Sequence, residues 1–365
     1  NKSKQKEEMT DYSQPTESVT YAALEPHGSF KKHIITRRAM RSDDVVIEIK
    51  FAGICHSDIH QVREEWGKAI FPMVPGHEIG GIVVSVGSNV SNFQVGDYAG
   101  VGCMVDSCRK CTNCRRGIEQ YCHEGFVGTY NDTHKYSIET GNPTYGGYSK
   151  HIVVDKDFAL QIPKNLDLAG ATPLLCAGIT VYSPMIRFGL QPHHKFGVVG
   201  LGGLGHMAAK FGVAFGNHTT VISRGTSKRE NALNELHVHG YLDSTNEEEL
   251  KQAAGTFDFL LCTVSANYNI RTYINLLRTD GKFIVVGAPP TPIEVSCSSL
   301  IHTRGCVAGS LIGGIQETQE MLDFCGRHNI TCDIELIGAS EIDRSYDRTV
   351  ASDVKYRFVI DTSTF

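Results

Sequence analysis

Four cysteines fall close together as Cys108-x-x-Cys111-x-x-Cys114-x7-Cys122. Four thiolates at such spacing suit a closed, tetrahedral Zn²⁺ site. A loop this short buries little apolar surface, so a metal would hold it. An iron–sulfur cluster takes the same ligands, but the wide last gap favours zinc. The site reads as structural. A second set is dispersed: Cys55, the triplet Gly76-His77-Glu78, and Cys176. Two cysteines and one histidine with a fourth position left open form a catalytic-zinc pattern. Each residue alone signals little, because a lone cysteine is more often a small core residue than a ligand. Their company strengthens the set: Cys55 precedes His56-Ser57-Asp58, and Cys176 follows Pro173-Leu174-Leu175. The remaining cysteines, Cys103, Cys262, Cys297, Cys306, Cys325 and Cys332, have no ligand spacing.

The third constellation is a glycine pattern, Gly200-Leu201-Gly202-Gly203-Leu204-Gly205, placed directly after the apolar run 196–199 and opening an Ala-rich helical stretch. In that context the first glycine permits a tight turn, the second lets backbone approach a pyrophosphate, and the third lets helix pack on strand. The free N–H groups and positive dipole end of the helix then face the phosphates. A carboxylate about twenty residues on would select NAD through the ribose 2′-hydroxyl. Here the next strand ends Ser223-Arg224-Gly225-Thr226-Ser227-Lys228, without an acid. Ser223, Arg224 and Lys228 are suited to a 2′-phosphate, so the predicted cofactor is NADP(H).

Two kinds of element must position these groups. From residue 21 to about 163 short β patterns dominate, among them the alternating 45–51, the β-branched 79–86, and the short strands 151–154 and 158–162. From about Leu166 strands alternate with helices. Strands are predicted at 196–199, 219–223, 257–263 and 282–287, and helices at 206–215, 228–236 and 273–278. That alternation defines a doubly wound parallel sheet. A helix at 316–328 and a short β tail follow. Residues 1–20 are polar and read as a tail without fixed structure.

Composition narrows the function. The 365 residues suit two domains, with 41% hydrophobic and 21% charged residues, ordinary for a globular chain. A net charge of -5 gives no footprint for nucleic acid. No membrane span is expected: the longest apolar stretch, 198–209, is broken by Gly200, Gly202, Gly203 and Gly205. Clustered cysteines and no visible secretion signal point to the cytoplasm, and none of the Asn-x-Ser/Thr triplets is read as glycosylated.

Several segments together resemble the zinc-containing medium-chain dehydrogenases, in their cinnamyl-alcohol-dehydrogenase-like branch. They are Gly53-Ile-Cys-His-Ser-Asp-Ile-His60, Val74-Pro-Gly-His-Glu78 with Gly81 and Gly87, the four-cysteine stretch, Leu174-Leu-Cys-Ala-Gly-Ile-Thr180, the glycine pattern, and Tyr356-Arg-Phe-Val-Ile-Asp361. The resemblance covers nearly everything after residue 20. It implies a GroES-like β-rich catalytic domain over 21–172 and 313–365, with a Rossmann domain over 173–312. It implies two Zn²⁺ per chain, one held by Cys55, His77 and Cys176 with Glu78 behind it, one by Cys108, Cys111, Cys114 and Cys122. Ser57 would pass a proton, with His60 further along. His56, Thr180, Gly200, Gly202, Gly203, Leu204, Gly205, Ser223, Arg224, Lys228, Gly287 and Ser310 would line the cofactor. Trp66, Cys103, Val127 and Leu311 would face the substrate, and the family implies a homodimer.

The expected reaction is hydride transfer between NADP(H) and an alcohol/aldehyde pair, with reduction favoured. The departures concern the substrate. Val127 and Leu311 stand where the plant lignin enzymes have Trp and Phe, Trp66 and Lys68 replace aliphatic residues, and Glu65 replaces an Asp. Arg224 and Gly225 replace serines. Aromatic, allylic or medium-chain aldehydes fit such a pocket, while coniferyl or sinapyl aldehyde is not implied. A reductase of polarised C=C or C=N bonds would lack relay residues, and a non-catalytic NADPH-binding protein would lack metal ligands. Both sets are present.

Overall fold

The early β-branched runs and the later strand–helix alternation become two sheets in the structure, a computed structural model that describes residues 10–365. The first sheet runs in the order Ile334–Ile337, Arg357–Asp361, Asp44–Gly53, Ile79–Val86, Tyr98–Val101, Leu160–Gln161, with His151–Asp155 also paired to Asp44–Gly53. Its pairs are antiparallel except the first. Val45, Ile47 and Ile49 are buried in its core, as their alternation predicts. The second sheet is parallel throughout, in the order Gly240–Asp243, His218–Ser223, Lys195–Val199, Phe257–Cys262, Leu277–Val285, Cys306–Gly309. Strand order reverses between Lys195–Val199 and Phe257–Cys262, so a crevice opens at their carboxyl ends. Doubly wound sheets bind ligands at such a point.

Three expectations need correction. The tail assigned to residues 1–20 ends earlier than expected: Thr16–Ala22 is a strand, antiparallel to Lys31–Arg37. Its inward positions include Ser18 and Thr20, buried polar residues that hide the pattern, and Thr20 Oγ1 donates to His33 O at 3.0 Å. Residues 1–9 lie outside the described residues. The helix expected at 273–278 is Ile270–Ile274, because the Asn269 side chain accepts from Arg271 N–H and starts the helix sooner. Leu277 already begins the next strand. The two edge strands, Gly240–Asp243 and Cys306–Gly309, were not foreseen; at four residues each they carry too short a pattern.

The helix Ile315–His328 places Met321, Leu322 and Cys325 in the core that also holds Phe196 and Phe259, and packs against both Ala177–Arg187 and Leu160–Gln161. No helix among the described residues is long and apolar enough to cross a membrane alone. The bent pair Leu168–Leu175 and Ala177–Arg187, which passes by length and composition, is nearly all buried in the core.

His206 ties the two sheets together. It is fully buried, stacks on Tyr356 at 4.7 Å, shares Nδ1 with Gly202 O at 3.3 Å, and accepts from Asp333 N–H through Nε2 at 3.4 Å. Burial, with Lys210 adding to it, pushes its pKa from 6.5 down to about 3. Burial and then Arg37 push His151 down to about 4. Folding therefore favours both neutral rings. That stabilisation is complete above the unfolded value near 6.5 and is lost as pH falls towards the folded values. Urea unfolding followed from pH 7.5 to 4.5 should show each ring costing on the order of 2–3 kcal/mol. The slope should lessen in His206→Gln, and an unaltered slope would refute the assignment.

Candidate active site

The strand Asp44–Gly53 runs into the helix His56–Val62, with Cys55 in extended conformation as its N-cap. Asp58, fully buried on that helix, accepts from Cys55 N–H through Oδ2 at 2.8 Å. Its Oδ1 lies 3.2 Å from Gly76 N and 3.2 Å from His77 Nδ1. A carboxylate on Nδ1 fixes the ring and leaves Nε2 as the free ligand atom. Nε2 indeed faces Cys176 Sγ at 3.3 Å. Cys176 caps the helix Ala177–Arg187. The ligand atoms of Cys55, His77, Glu78 and Cys176 all lie within 4.8 Å of one another.

Glu78 is fully buried. Its Oε1 stands 2.9 Å from Arg357 Nη2, an ion pair too poorly aligned for a hydrogen bond, so neither carboxylate oxygen has a hydrogen-bond partner. Burial raises its pKa against the pull of Arg357. The Cys176 side chain and then the Arg357 guanidinium hold the Cys55 thiol well below its ordinary range. Two close sulfurs, a free imidazole nitrogen and an orphaned buried carboxylate fit a divalent metal; apolar packing explains none of them.

The second cluster is held differently. Cys108 Sγ and Cys114 Sγ are 3.9 Å apart, and Cys111 Sγ and Cys114 Sγ are 3.5 Å apart. A disulfide needs about 2.05 Å, whereas four sulfurs at about 2.3 Å from one zinc lie about 3.8 Å from each other. Cys111 and Cys114 N–H groups each point at a preceding sulfur at 3.4 Å. The lobe's own apolar cluster is only Cys108, Cys114 and Cys122, with Cys111 and Tyr136 packed on it. These residues fit a thiolate-bound zinc.

At the crevice, Gly200 follows the strand Lys195–Val199 with φ +92°, a left-handed turn. A Cβ on Gly205 would lie 2.0 Å from Gly200 O, so helix Gly203–Ala214 needs glycine there to pack on the turn. A Cβ on Gly202 would meet nothing within 4 Å, which leaves an open cradle beside the helix N-terminus. Leu204 is half-buried on that helix. Gly287 abuts Val264 O, where a Cβ would come within 2.3 Å. Ser223 ends its strand, Arg224 is exposed, and Lys228 Nζ donates to Leu201 O at 2.7 Å. Lys228 is thereby fastened to the glycine loop. Asp243, from the next strand, reaches the turn that follows Ser223: its Oδ1 accepts from Gly225 N–H at 2.8 Å.

Of the residues expected to form the proton path, Ser57 places its Oγ 3.6 Å from Cys55 Sγ. His60 Nδ1 contacts Glu65 Oε2, and Trp66 stacks on the His60 ring at 4.7 Å while staying 55% exposed. His56 is exposed and its ring centroid is 6.2 Å from that of His60. Thr180 is buried on Ala177–Arg187. Cys103 Sγ lies 3.9 Å from Leu175 O, next to Cys176. Ser310 N–H donates to Val285 O, and Leu311 is exposed. Val127 is fully buried, on the short strand that pairs with Met104–Asp106. Two functional residues were missed, Asp58 and Arg357, although both lie inside quoted segments. An acid three residues after a candidate ligand and an arginine in an apolar strand were the available signals.

A metal cradle set against the mouth of a nucleotide-binding sheet defines a two-domain dehydrogenase. Residues 41–164 match the family described as alcohol dehydrogenase GroES-like domain, and residues 203–327 match zinc-binding dehydrogenase. A probable formaldehyde dehydrogenase of Bacillus subtilis is 52% identical, covering 92% of this chain and 95% of its own. An NADP-dependent alcohol dehydrogenase of Mycolicibacterium smegmatis is 50% identical, covering 94% and 97%. The crystal structure of CAD from Helicobacter pylori complexed with NADP(H) superposes with a TM-score of 0.89 at 40% identity, covering 96% and 99%. The chain belongs to the zinc-binding alcohol dehydrogenase family.

Asp58→Asn keeps the shape of the side chain and removes its charge from His77. Zinc affinity at this cradle should fall about 10- to 100-fold, read by chelator competition, while the cysteine lobe keeps its metal. Equal retention by both sites would remove Asp58 from the metal's support.

Proposed function

We propose that this chain is an NADP(H)-dependent alcohol dehydrogenase working mainly as a reductase of aromatic, allylic or medium-chain aldehydes. One observation carries the proposal: Arg357 joins the metal cradle to the nucleotide loop. Its Nη2 is 3.7 Å from Cys55 Sγ and 2.9 Å from Glu78, and a Cβ on Gly203 would lie 3.0 Å from its Nε. A cofactor seated on the loop is therefore brought beside the cradle, as hydride transfer requires.

Cys55, His77 and Cys176 would hold the catalytic zinc, with Glu78 behind it. When bound, the zinc supplies Lewis-acid polarisation of the carbonyl and the nicotinamide supplies hydride. The chain's own groups do the rest. Gly200, Gly202, Gly203, Leu204 and Gly205 seat the pyrophosphate. Ser223, Arg224 and Lys228 bind the 2′-phosphate, consistent with the NADP dependence of the mycobacterial relative. His56, Thr180, Gly287 and Ser310 line the remaining cofactor surface. Ser57 Oγ passes a proton between the product oxygen and solvent by way of the cofactor ribose, with His60, held by Glu65 and capped by Trp66, further along that path. Trp66, Cys103, Val127 and Leu311 line the substrate pocket. The tetracysteine zinc is structural, and the domains divide as 21–172 with 313–365, and 173–312. Twelve cysteines without a disulfide support a cytoplasmic location. The edge strand Cys306–Gly309, unpaired on one side, supports a homodimer.

The test is NADPH and NADH oxidation with cinnamaldehyde, benzaldehyde and a short aliphatic aldehyde, on protein assayed for zinc. Turnover with NADPH well above NADH, at about two zincs per chain, is expected. NADH preference would overturn the roles of Ser223, Arg224 and Lys228. Ser57→Ala should lower kcat by about 10²- to 10⁴-fold while leaving NADPH affinity near normal; undiminished kcat would remove Ser57 from the proton path.

A further inference from the structure

The tetracysteine lobe is fastened to the segment where the chain leaves the parallel sheet. Tyr121 Oη accepts from Leu311 N–H at 2.9 Å. Glu119 Oε2 accepts from Ile315 N–H at 3.1 Å, at the start of the helix Ile315–His328. The N-cap of that helix is Gly314, which has no side chain to offer, so Glu119 from the lobe supplies the missing acceptor and a favourable charge. A Cβ on Gly314 would lie 1.8 Å from Gly117 O, so the two backbones are in direct contact. Between these fastenings sits Ile312 at φ +34°, a conformation β-branched residues rarely adopt. Such strain persists only where the surroundings impose it. Ser310 and Leu311 immediately precede it.

We propose that the tetracysteine lobe acts on catalysis by clamping residues 311–315, and that Tyr121 and Glu119 are its positioning residues. This rests on the proposed placement of Ser310 at the cofactor and Leu311 at the substrate. The lobe then does more than stabilise: it sets the height of the pocket wall. Its sulfurs fix Cys114 and Cys122, these fix the 117–121 segment between them, and that segment fixes the strained turn.

The test compares zinc-loaded wild-type enzyme with Tyr121→Phe, Glu119→Ala and Glu119→Gln. Each is assayed for zinc content, NADPH affinity by calorimetry, KM and kcat for cinnamaldehyde, and amide exchange at Leu311 and Ile315. Loss of one acceptor is expected to raise the aldehyde KM by about two- to tenfold, with kcat within about twofold and both zincs retained. Exchange at Leu311 should quicken in Tyr121→Phe and at Ile315 in Glu119→Ala. Glu119→Gln, which keeps an acceptor, should restore KM. Unchanged KM, NADPH affinity and exchange in both Tyr121→Phe and Glu119→Ala would overturn the proposal. So would zinc loss or a lowered melting temperature with KM unmoved. Quickened exchange in an enzyme whose wild type turns over no aldehyde would instead keep the clamp and discard the functional placement of Ser310 and Leu311.

Discussion

Glu78 and Arg357 meet in the interior, both buried, and much of the molecule is arranged around them. A buried ion pair is rarely a net source of stability, because desolvating both charges offsets their attraction. Removing one partner is nonetheless costly, about 3–5 kcal/mol, because the other charge is stranded. The pair therefore serves alignment. Glu78 precedes the strand Ile79–Val86, and Arg357 opens the strand Arg357–Asp361 near the other end of the chain. The same guanidinium donates to Ile54 O and reaches Cys55 Sγ and the Gly203 backbone. The first ligand, the last strand and the nucleotide loop share one fixed point.

The two cysteine sites represent opposite ways of making a rigid cradle. Around Cys55, His77 and Cys176 rigidity comes from helix starts, a sheet and the Asp58 carboxylate, so ligand atoms converge with their supports in place. Around Cys108, Cys111, Cys114 and Cys122 there is a four-residue helix, a single turn of 3-10 helix and almost no apolar core. There a bound zinc would replace the hydrophobic contribution that the loop is too short to supply.

Much of this was legible from residue types and spacing, and the exceptions have physical causes. The glycine pattern and the lobe cysteines could be read because each encodes a local geometry: a left-handed turn at Gly200, and sulfurs brought together by two-residue gaps. The partnership of Cys55, His77 and Cys176 depends on chain reversals across two domains, so spacing alone suggested it and resemblance identified it. Asp58 and Arg357 were passed over because a buried charge looks like a surface charge until its partner is known. The strand Thr16–Ala22 was hidden because its inward faces carry Ser18 and Thr20, whose burial depends on hydrogen bonds made far along the chain, with His151 N–H donating to Ser18 Oγ at 3.4 Å. Pocket composition was the least legible: Val127 is placed by the pairing of its strand with Met104–Asp106, a register no local pattern announces.

The glycines of the nucleotide loop are held in place by different agents. At Gly205 a methyl group would collide with Gly200 O, so the fold itself forbids replacement. At Gly202 the bare chain would accept a methyl group without a clash, and only the phosphate proposed to sit there would object. A pool of variants sorted for solubility and folding would thus keep glycine at 205 and let 202 drift. The same pool sorted for growth that depends on the enzyme would fix both. Neighbouring and chemically identical, the two positions answer to different selections, one to the architecture and one to the molecule it holds.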